Sequence, residues 1–429
     1  MLQSIIIKNF KSYKEVELHL SALTMLIGAN ASGKSNALEA IRFLSWLAQE
    51  KKVSSLQYDI SDTDKVMRGK VKDLPYDGMK EFSIGCKTKK RWNRLLITLS
   101  VKTKDIKITA ESISSTDENF PLYRIARIAD PPGDSISVEY NNFARGGKKP
   151  QIVCTDQLAV FTQLSSAARF ESGHKKAQKV IPEITGEYQQ LLTDILFLEP
   201  VPSLMREMND KDDVNLRGNG RNLSAVLYNL CENIENKKQI LSFIKSLPEQ
   251  NISDIKFDVL KQNVIFSIVE TFGGSEKSWD ASLISDGTLR VLAIAAAMLS
   301  ARESSLVVIE EIDNGIHPSR AKQLMENIQQ IAEKRNIRVL LTTHNPALLD
   351  AIPDDVIGDV VFCYRDPDEG DSRLVRLKDM ERYPELIMQD RLGSLMTNGI
   401  IDKFVKSKQS YEDILNKTDR WLSRVKEGK

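Results

Sequence analysis

Residues Leu26–Asn36 read LIGANASGKSN. Within them Gly28-Ala29-Asn30-Ala31-Ser32-Gly33-Lys34-Ser35 fits the pattern GxxxxGK[ST]. The residue types follow from the chemistry of a dense anion. Backbone N–H groups can surround a polyphosphate only where side chains are small or missing, hence Gly28, Ala31, Ser32 and Gly33. A helix starting just after the loop adds its free N–H groups and its dipole. Lys34 adds a full positive charge, Ser35 offers a hydroxyl to Mg²⁺, and Asn30 and Asn36 flank the cradle. The context agrees. Leu23–Ile27 reads as a short buried strand, and Asn36–Gln49 has apolar residues at helical spacing (Leu38, Ile41, Leu44, Leu47).

Upstream, Ile5 and Ile7 alternate with polar residues, as do Val16, Leu18 and Leu20, with Lys11-Ser12-Tyr13-Lys14 between them, which predicts a hairpin. Downstream, residues 51–156 carry strand-like stretches separated by Gly-, Pro- and Lys-rich turns and read as a mostly β insertion. Residues 157–249 read as a helical subdomain interrupted by Leu198–Ser203 (LEPVPS). Residues 250–355 return to alternating strands and helices, the order of a parallel sheet with crossover helices. Residues 1–50 and 250–355 are thus expected to form one core, and 356–429 a hairpin with a helical tail.

Leu306–Ile309 is a continuous apolar run, as a doubly buried parallel strand should be, and it ends in Glu310 and Glu311. Ligands of open α/β sheets sit beyond that end of the strands. Alternation along the chain lets Glu310 face a metal ion while Glu311 faces an attacking water as its base. A second strand, ending in LLTTHNP, carries His344 toward the same edge. His317, before Pro318, reads as a helix-cap neighbour. The stretch SLISDGTLRVLAIAAAML places Ser285, Asp286 and Gly287 at the start of an apolar helix, a second helix terminus ready for an anion. A nucleotide with two such termini is most simply enclosed by two chains set head to tail.

Taken in order, KNFKSY, GANASGKS, ISDGTLR, LVVIEEIDNGIHP and LLTTHNP resemble an ABC-type ATPase head of the SMC and RecF branch, closest to the small ATPases of the OLD type, many of which serve in phage defence. The resemblance implies an α/β fold: a P-loop ATPase head with a mixed sheet, the β insertion, a helical subdomain and a helical C-terminal tail. It also implies ATP and Mg²⁺ as ligands. Gly28–Ser35 match its Walker A loop, and Ser285-Asp286-Gly287 its signature turn, acting on the partner's nucleotide. Glu310 and Glu311 match Walker B, Asp313–Gly315 the D-loop and His344 the switch histidine. A metal-sensing glutamine is expected as well, and Gln163 in VFTQLSS is the candidate.

Three functional readings follow: a nucleotide-gated dimer that senses DNA or controls a separate effector (a nuclease or toxin), a RecF-like DNA repair ATPase, and an ATP-binding scaffold with little turnover. No glutamate and Asp-x-Asp pair of a TOPRIM nuclease follows His344; Asp366, Asp368 and Asp371 flank Pro367 and Gly370 and read as a hairpin turn. Lys plus Arg number 60 against 59 acidic residues, so a nucleic-acid contact must be local. KTKKRWNR (Lys87–Arg94), with Trp92 expected exposed among its cations, is the chosen candidate, and RGGKKP (Arg145–Pro150) is a second basic loop. The four cysteines are far apart, which argues against a disulfide framework or a metal site. The charged N-terminus and the shortness of the longest apolar run point to a cytoplasmic protein.

Overall fold

The computed structural model of the chain describes residues 1–59, 66–102, 105–128, 134–245, 251–313 and 321–406. The chain opens with strands β1 (Leu2–Phe10), β2 (Tyr13–His19) and β3 (Leu23–Gly28), then helix α1 (Lys34–Ala48) and the short α2 (Leu56–Asp59). Six strands follow: β4 (Glu81–Thr88), β5 (Arg94–Lys102), β6 (Asp105–Ser114), β7 (Tyr123–Ile128), β8 (Ser135–Tyr140) and β9 (Gln151–Thr155). Next come α3 (Val160–Gln163), α4 (Lys175–Thr193), β10 (Leu196–Leu198), β11 (Asn209–Asp210), α5 (Leu223–Cys231) and α6 (Ile234–Ile244). Strands β12 (Ile252–Leu260), β13 (Asn263–Phe272) and β14 (Ser275–Asp280) lead into α7 (Asp286–Ser300). The remainder is β15 (Leu306–Ile309), α8 (Ala321–Lys334), β16 (Arg338–Thr342), α9 (Pro346–Leu349), α10 (Asp354–Ile357), β17 (Val361–Arg365), β18 (Ser372–Arg376), α11 (Tyr383–Ile387), α12 (Leu392–Thr397) and α13 (Ile400–Lys406).

Three sheets result. The central one runs β10-β15-β16-β3-β17-β18, parallel except for the last pair. Its alternation sorts side chains between two cores. Leu23, Met25 and Ile27 of β3 and Val307 and Ile309 of β15 face one core, together with α5–α8; Leu26, Leu306 and Val308 face the other, together with α1, α3 and α4. Both faces are covered, which is why β3 and β15 are buried throughout and apolar but for Thr24. A four-stranded antiparallel sheet of β11 to β14 adjoins the helices of the first core.

The third sheet is antiparallel and eight-stranded, β2-β1-β4-β5-β6-β7-β8-β9. The strands of residues 81–155 therefore extend the N-terminal hairpin, with β4 pairing directly on β1 (Ile5 opposite Cys86, Ile7 opposite Ile84). Helix α1 lies between this sheet and the central one, and all but three of its residues are buried. This is the α/β layout expected of an ABC-type P-loop ATPase head: a parallel core, an antiparallel lobe and a helical lobe.

The antiparallel lobe is joined to α3 by Glu111 on β6. This fully buried carboxylate accepts from the Tyr123 hydroxyl (2.6 Å) and from the backbone N–H groups of Val160 and Phe161 (both 2.7 Å). Burial pushes its carboxyl up to about 7, against the opposing pull of those three donors. The fold thus holds a proton that the unfolded chain releases near 4.5. The stabilisation is complete below that pH and is lost as pH rises toward 7, by roughly 3 kcal/mol. Urea midpoints of the wild-type chain should fall between pH 5 and 7, and Glu111→Gln should flatten that fall.

Candidate functional site

The loop between β3 and α1 is shaped by two glycines. Gly28 has φ +146°, and a Cβ there would stand 2.1 Å from the Cys363 carbonyl oxygen. Gly33, the N-cap of α1, has φ +123°, and its Cβ would meet the Ser372 hydroxyl at 2.4 Å. The loop is braced from beneath by the two hairpins. Ser372 Oγ and Cys363 Sγ both donate to the Ser32 carbonyl (2.6 and 3.3 Å), and Tyr13 donates to the Gly33 carbonyl (3.1 Å). Ser12 Oγ joins Ser372 Oγ (2.7 Å) and the Asn36 side chain (2.8 Å). With its carbonyls held from below, the loop leaves Ala29, Asn30, Ala31 and Ser35 exposed above.

Lys34 is buried and folds back over the loop, its Nζ donating to the carbonyls of Gly28 (2.7 Å) and Ala29 (2.9 Å). Burial lowers its pKa. Asn36 differs from expectation: its side-chain amide faces the N-terminal hairpin through Ser12, so it works as a brace for the loop.

Beyond the end of β15 the backbone departs from strand alternation. Glu310 Oε1 accepts from Arg42 Nη2 of α1 at 2.7 Å. Glu311 turns into the left-handed region, φ +48°, a conformation costly for a residue with a Cβ. Its N–H donates to Thr342 Oγ1 (2.9 Å), and Ile312 N–H donates to the Thr342 carbonyl (3.1 Å). The chain after Glu310 thus follows this turn and not the strand alternation expected of the two glutamates. Thr343 donates to Asp313 (2.7 Å) and accepts from Asn345 N–H (3.0 Å), so both neighbours of His344 are fixed while its own ring is exposed. Its pKa is lowered, first by desolvation and then by the Lys34 charge, against Asp313 and Glu311. These four groups thus share one electrostatic neighbourhood, with the imidazole held neutral. Asn314, Gly315 and His317 lie outside the described residues.

The second anion-ready turn is built as expected. Ser285 caps α7, its Oγ accepting from Thr288 N–H (3.2 Å) and sharing a proton with Thr288 Oγ1 (2.8 Å). Arg206 clasps the turn through Asp286 (2.6 Å) and the Ile284 carbonyl (2.9 Å). Ser285 and Asp286 are exposed, while the body of α7 is buried.

Two expectations fail. Gln163 has its amide committed to a turn: Oε1 accepts from Thr155 N–H (2.9 Å), and Nε2 donates to the carbonyls of Thr155 (2.9 Å) and Leu158 (2.8 Å). It staples β9 to α3 and is no metal sensor. The residue that topology sets beside Glu310 is Glu199, at the end of β10, the parallel neighbour of β15. Trp92 is 3% exposed, edge-on to Phe143, so it cannot stack a base. Of the cations around it, Lys87 pairs with Glu17, Lys90 with Glu187 and Arg91 with Glu118. The acidic segment from Asp366 is the turn it was read to be, Asp366 Oδ1 accepting from the N–H groups of Asp368 and Glu369 (both 3.0 Å). No helix among the described residues is long and apolar enough to cross a membrane.

Arg42, Glu199, Thr342 and Thr343 are the site residues that sequence reading missed. The Thr-Thr pair stood in plain view before His344. Arg42 lies seven positions after Ser35, about two helical turns, and so on the same stripe of α1.

The chain has relatives among known proteins. The chain is 22% identical over 393 residues to an ATP/GTP phosphatase of Helicobacter pylori, covering 89% of this chain and 94% of that protein. It is 28% identical over 148 residues to the DNA replication and repair protein RecF of Leptospira biflexa, covering 34% of this chain and 36% of that one. Among solved structures, an Smc head bound to the C-winged helix domain of ScpA covers 87% of this chain and 97% of its own at 13% identity, with a TM-score of 0.48. The AAA ATPase domain matches residues 1–349, a stretch that holds the phosphate loop, the Ser285 turn, both glutamates and His344, and the chain belongs to that ATPase family.

Proposed function

We propose that the chain binds ATP and hydrolyses it in the cytoplasm, and that two copies enclose each nucleotide, the Lys34 loop of one facing the Ser285 turn of the other. One observation carries this reading: α1 and α7 pack on opposite faces of the central sheet, and the start of each opens to solvent. Each copy thereby presents two half-sites. The loop suits a triphosphate because Ala29, Asn30, Ala31 and Ser35 lie exposed on its upper side, while Gly28 and Gly33 pack against the hairpins beneath with no room for a Cβ. The Ser35 hydroxyl and the Glu310 carboxylate are hard oxygen donors of the kind Mg²⁺ takes. Once bound, that ion would neutralise charge on the phosphate oxygens. Lys34 exchanges the carbonyls of Gly28 and Ala29 for phosphate, Glu311 accepts the proton of the attacking water, and the neutral His344 hydrogen-bonds at the reacting phosphate.

Mixing tests the shared site. Lys34→Ala and Ser285→Arg chains should each be inactive alone. A heterodimer of the two holds one intact site, so an equimolar mixture should recover about a quarter of wild-type turnover. No recovery from chains shown to associate would refute the enclosure.

The finer reading is that this nucleotide cycle controls a separate effector, a nuclease or toxin, in phage defence. It is supported by the OLD-type motif order. The RecF match favours direct DNA clamping instead. Nuclease or toxin activity that appears only when a co-purifying protein is joined with the ATP-loaded chain supports the first; DNA retention by the chain alone supports the second.

A further inference from the structure

Resting on the hydrolase reading above, we infer that Arg42 is the positioning residue that sets Glu310 for the metal ion. Its guanidinium is fixed by three partners. Nη2 lies 2.7 Å from Glu310 Oε1 and 3.7 Å from Glu199 Oε2, and the guanidinium carbon sits 4.6 Å from the centre of the Phe197 ring. Phe197 and Glu199 belong to β10 and the residue after it, Glu310 follows β15, and these two strands are hydrogen-bonded neighbours. Arg42 therefore joins two strand ends to α1 at one point. A planar fork with a fixed direction suits this role better than a point charge on a flexible stem, and the aromatic platform removes part of its freedom.

The placement on α1 carries the argument further. Ser35 and Arg42 share a stripe, and helical side chains lean toward the helix N-terminus. The Arg42 side chain thus leans toward the Ser35 end of α1, with the Glu310 carboxylate held on its Nη2. Glutamate at 310 is one methylene longer than aspartate, with one more torsion to fix, and a single strong contact to Oε1 fixes it. Glu310 is 28% exposed and the Arg42 side chain 24%, so the pair is partly shielded from solvent. Glu199, 74% exposed, adds a second carboxylate at the same guanidinium.

The test reads metal binding directly. Full-length wild-type, Arg42→Gln and Arg42→Lys chains are loaded with a non-hydrolysable ATP analogue, and Mn²⁺ is titrated with free Mn²⁺ followed by electron paramagnetic resonance. Arg42→Gln should weaken Mn²⁺ binding at least about tenfold, as loss of a group orienting a ligand does. Arg42→Lys should recover only part of that loss, because a point charge on a flexible stem holds Glu310 Oε1 less firmly. Affinity for the analogue in EDTA should stay within about twofold for all three, because the polar and ring contacts of Arg42 among the described residues lie at the ends of β10 and β15 and not on the loop. Unchanged Mn²⁺ binding in Arg42→Gln overturns the inference. So does a lysine variant that recovers nothing, or a loss of analogue affinity in step with Mn²⁺. A wild-type chain that fails to take the analogue would instead refute the ATP-binding reading; Mn²⁺ titration of the three chains without nucleotide then still reads whether Arg42 orients Glu310.

Discussion

Glu311→Gln is expected to lower ATP turnover by about three orders of magnitude while leaving ATP affinity near that of the wild type. A carboxylate that takes a proton in the transition state contributes typically 10²–10⁴ in rate, and an amide of the same shape cannot take one. The substitution is nearly isosteric. The left-handed backbone at 311 is held by the N–H donated to Thr342 Oγ1, a contact that the side-chain change leaves in place. Lost turnover would therefore report chemistry and not collapse of the turn. Because the closed pair can no longer reopen through hydrolysis, ATP should also accumulate dimers, visible by light scattering at nucleotide concentrations where the wild type stays mostly monomeric. Turnover that survives within about tenfold would remove Glu311 from the role of base.

Gly28→Ala is expected to abolish nucleotide binding by a steric route. The added Cβ would stand 2.1 Å from the Cys363 carbonyl oxygen, far inside contact distance, and the obstacle is backbone in the adjacent strand β17. Two strained features coincide, because φ +146° is also closed to a residue with a Cβ. Relief requires β3 and β17 to part or the loop to refold, at a cost of about 3–5 kcal/mol. Equilibrium binding of a fluorescent ATP analogue should fall by at least about a hundredfold, accompanied by a lower melting temperature. The comparison that isolates the cause is Ala31→Gly, at a position exposed on top of the loop, which should leave both nearly untouched.

Much of this site was legible from local pattern. The loop, its strand and its helix are contiguous, so spacing alone placed Lys34 and Ser35. Ser285 was legible for the same reason, since a cap and its helix are neighbours in sequence. The rest depends on partners far along the chain. Arg42 gains meaning only when β15 and β10 are laid side by side, and nothing local to either announces that pairing. Gln163 was chosen by residue type near the expected place. Sheet order sets Glu199 at the end of β10 on one side of Glu310 and Thr342 of β16 on the other. Trp92 misled because a run of lysines and arginines implies a solvated loop, whereas the ring turns inward against Phe143 and the cations find carboxylates on β2, on α4 and in the loop after β6. The hairpin of residues 361–376 was read correctly as a hairpin. That it forms the floor beneath the phosphate loop could not be seen without β17 beside β3.

That floor has a consequence for how the protein is made. Strand β3 is paired in the central sheet by β16 and β17, and the contacts beneath its loop include Cys363 and Ser372 beside Tyr13 of the amino-terminal hairpin. As the chain leaves the ribosome, the amino-terminal hairpin can close at once, but the strand that follows it has no neighbour until hundreds of residues later. The nascent protein must shelter an apolar strand until β16 and β17 have been made. The floor of the phosphate loop is complete only once β17 and β18 have been made, so a copy that stalls before them lacks the braced loop.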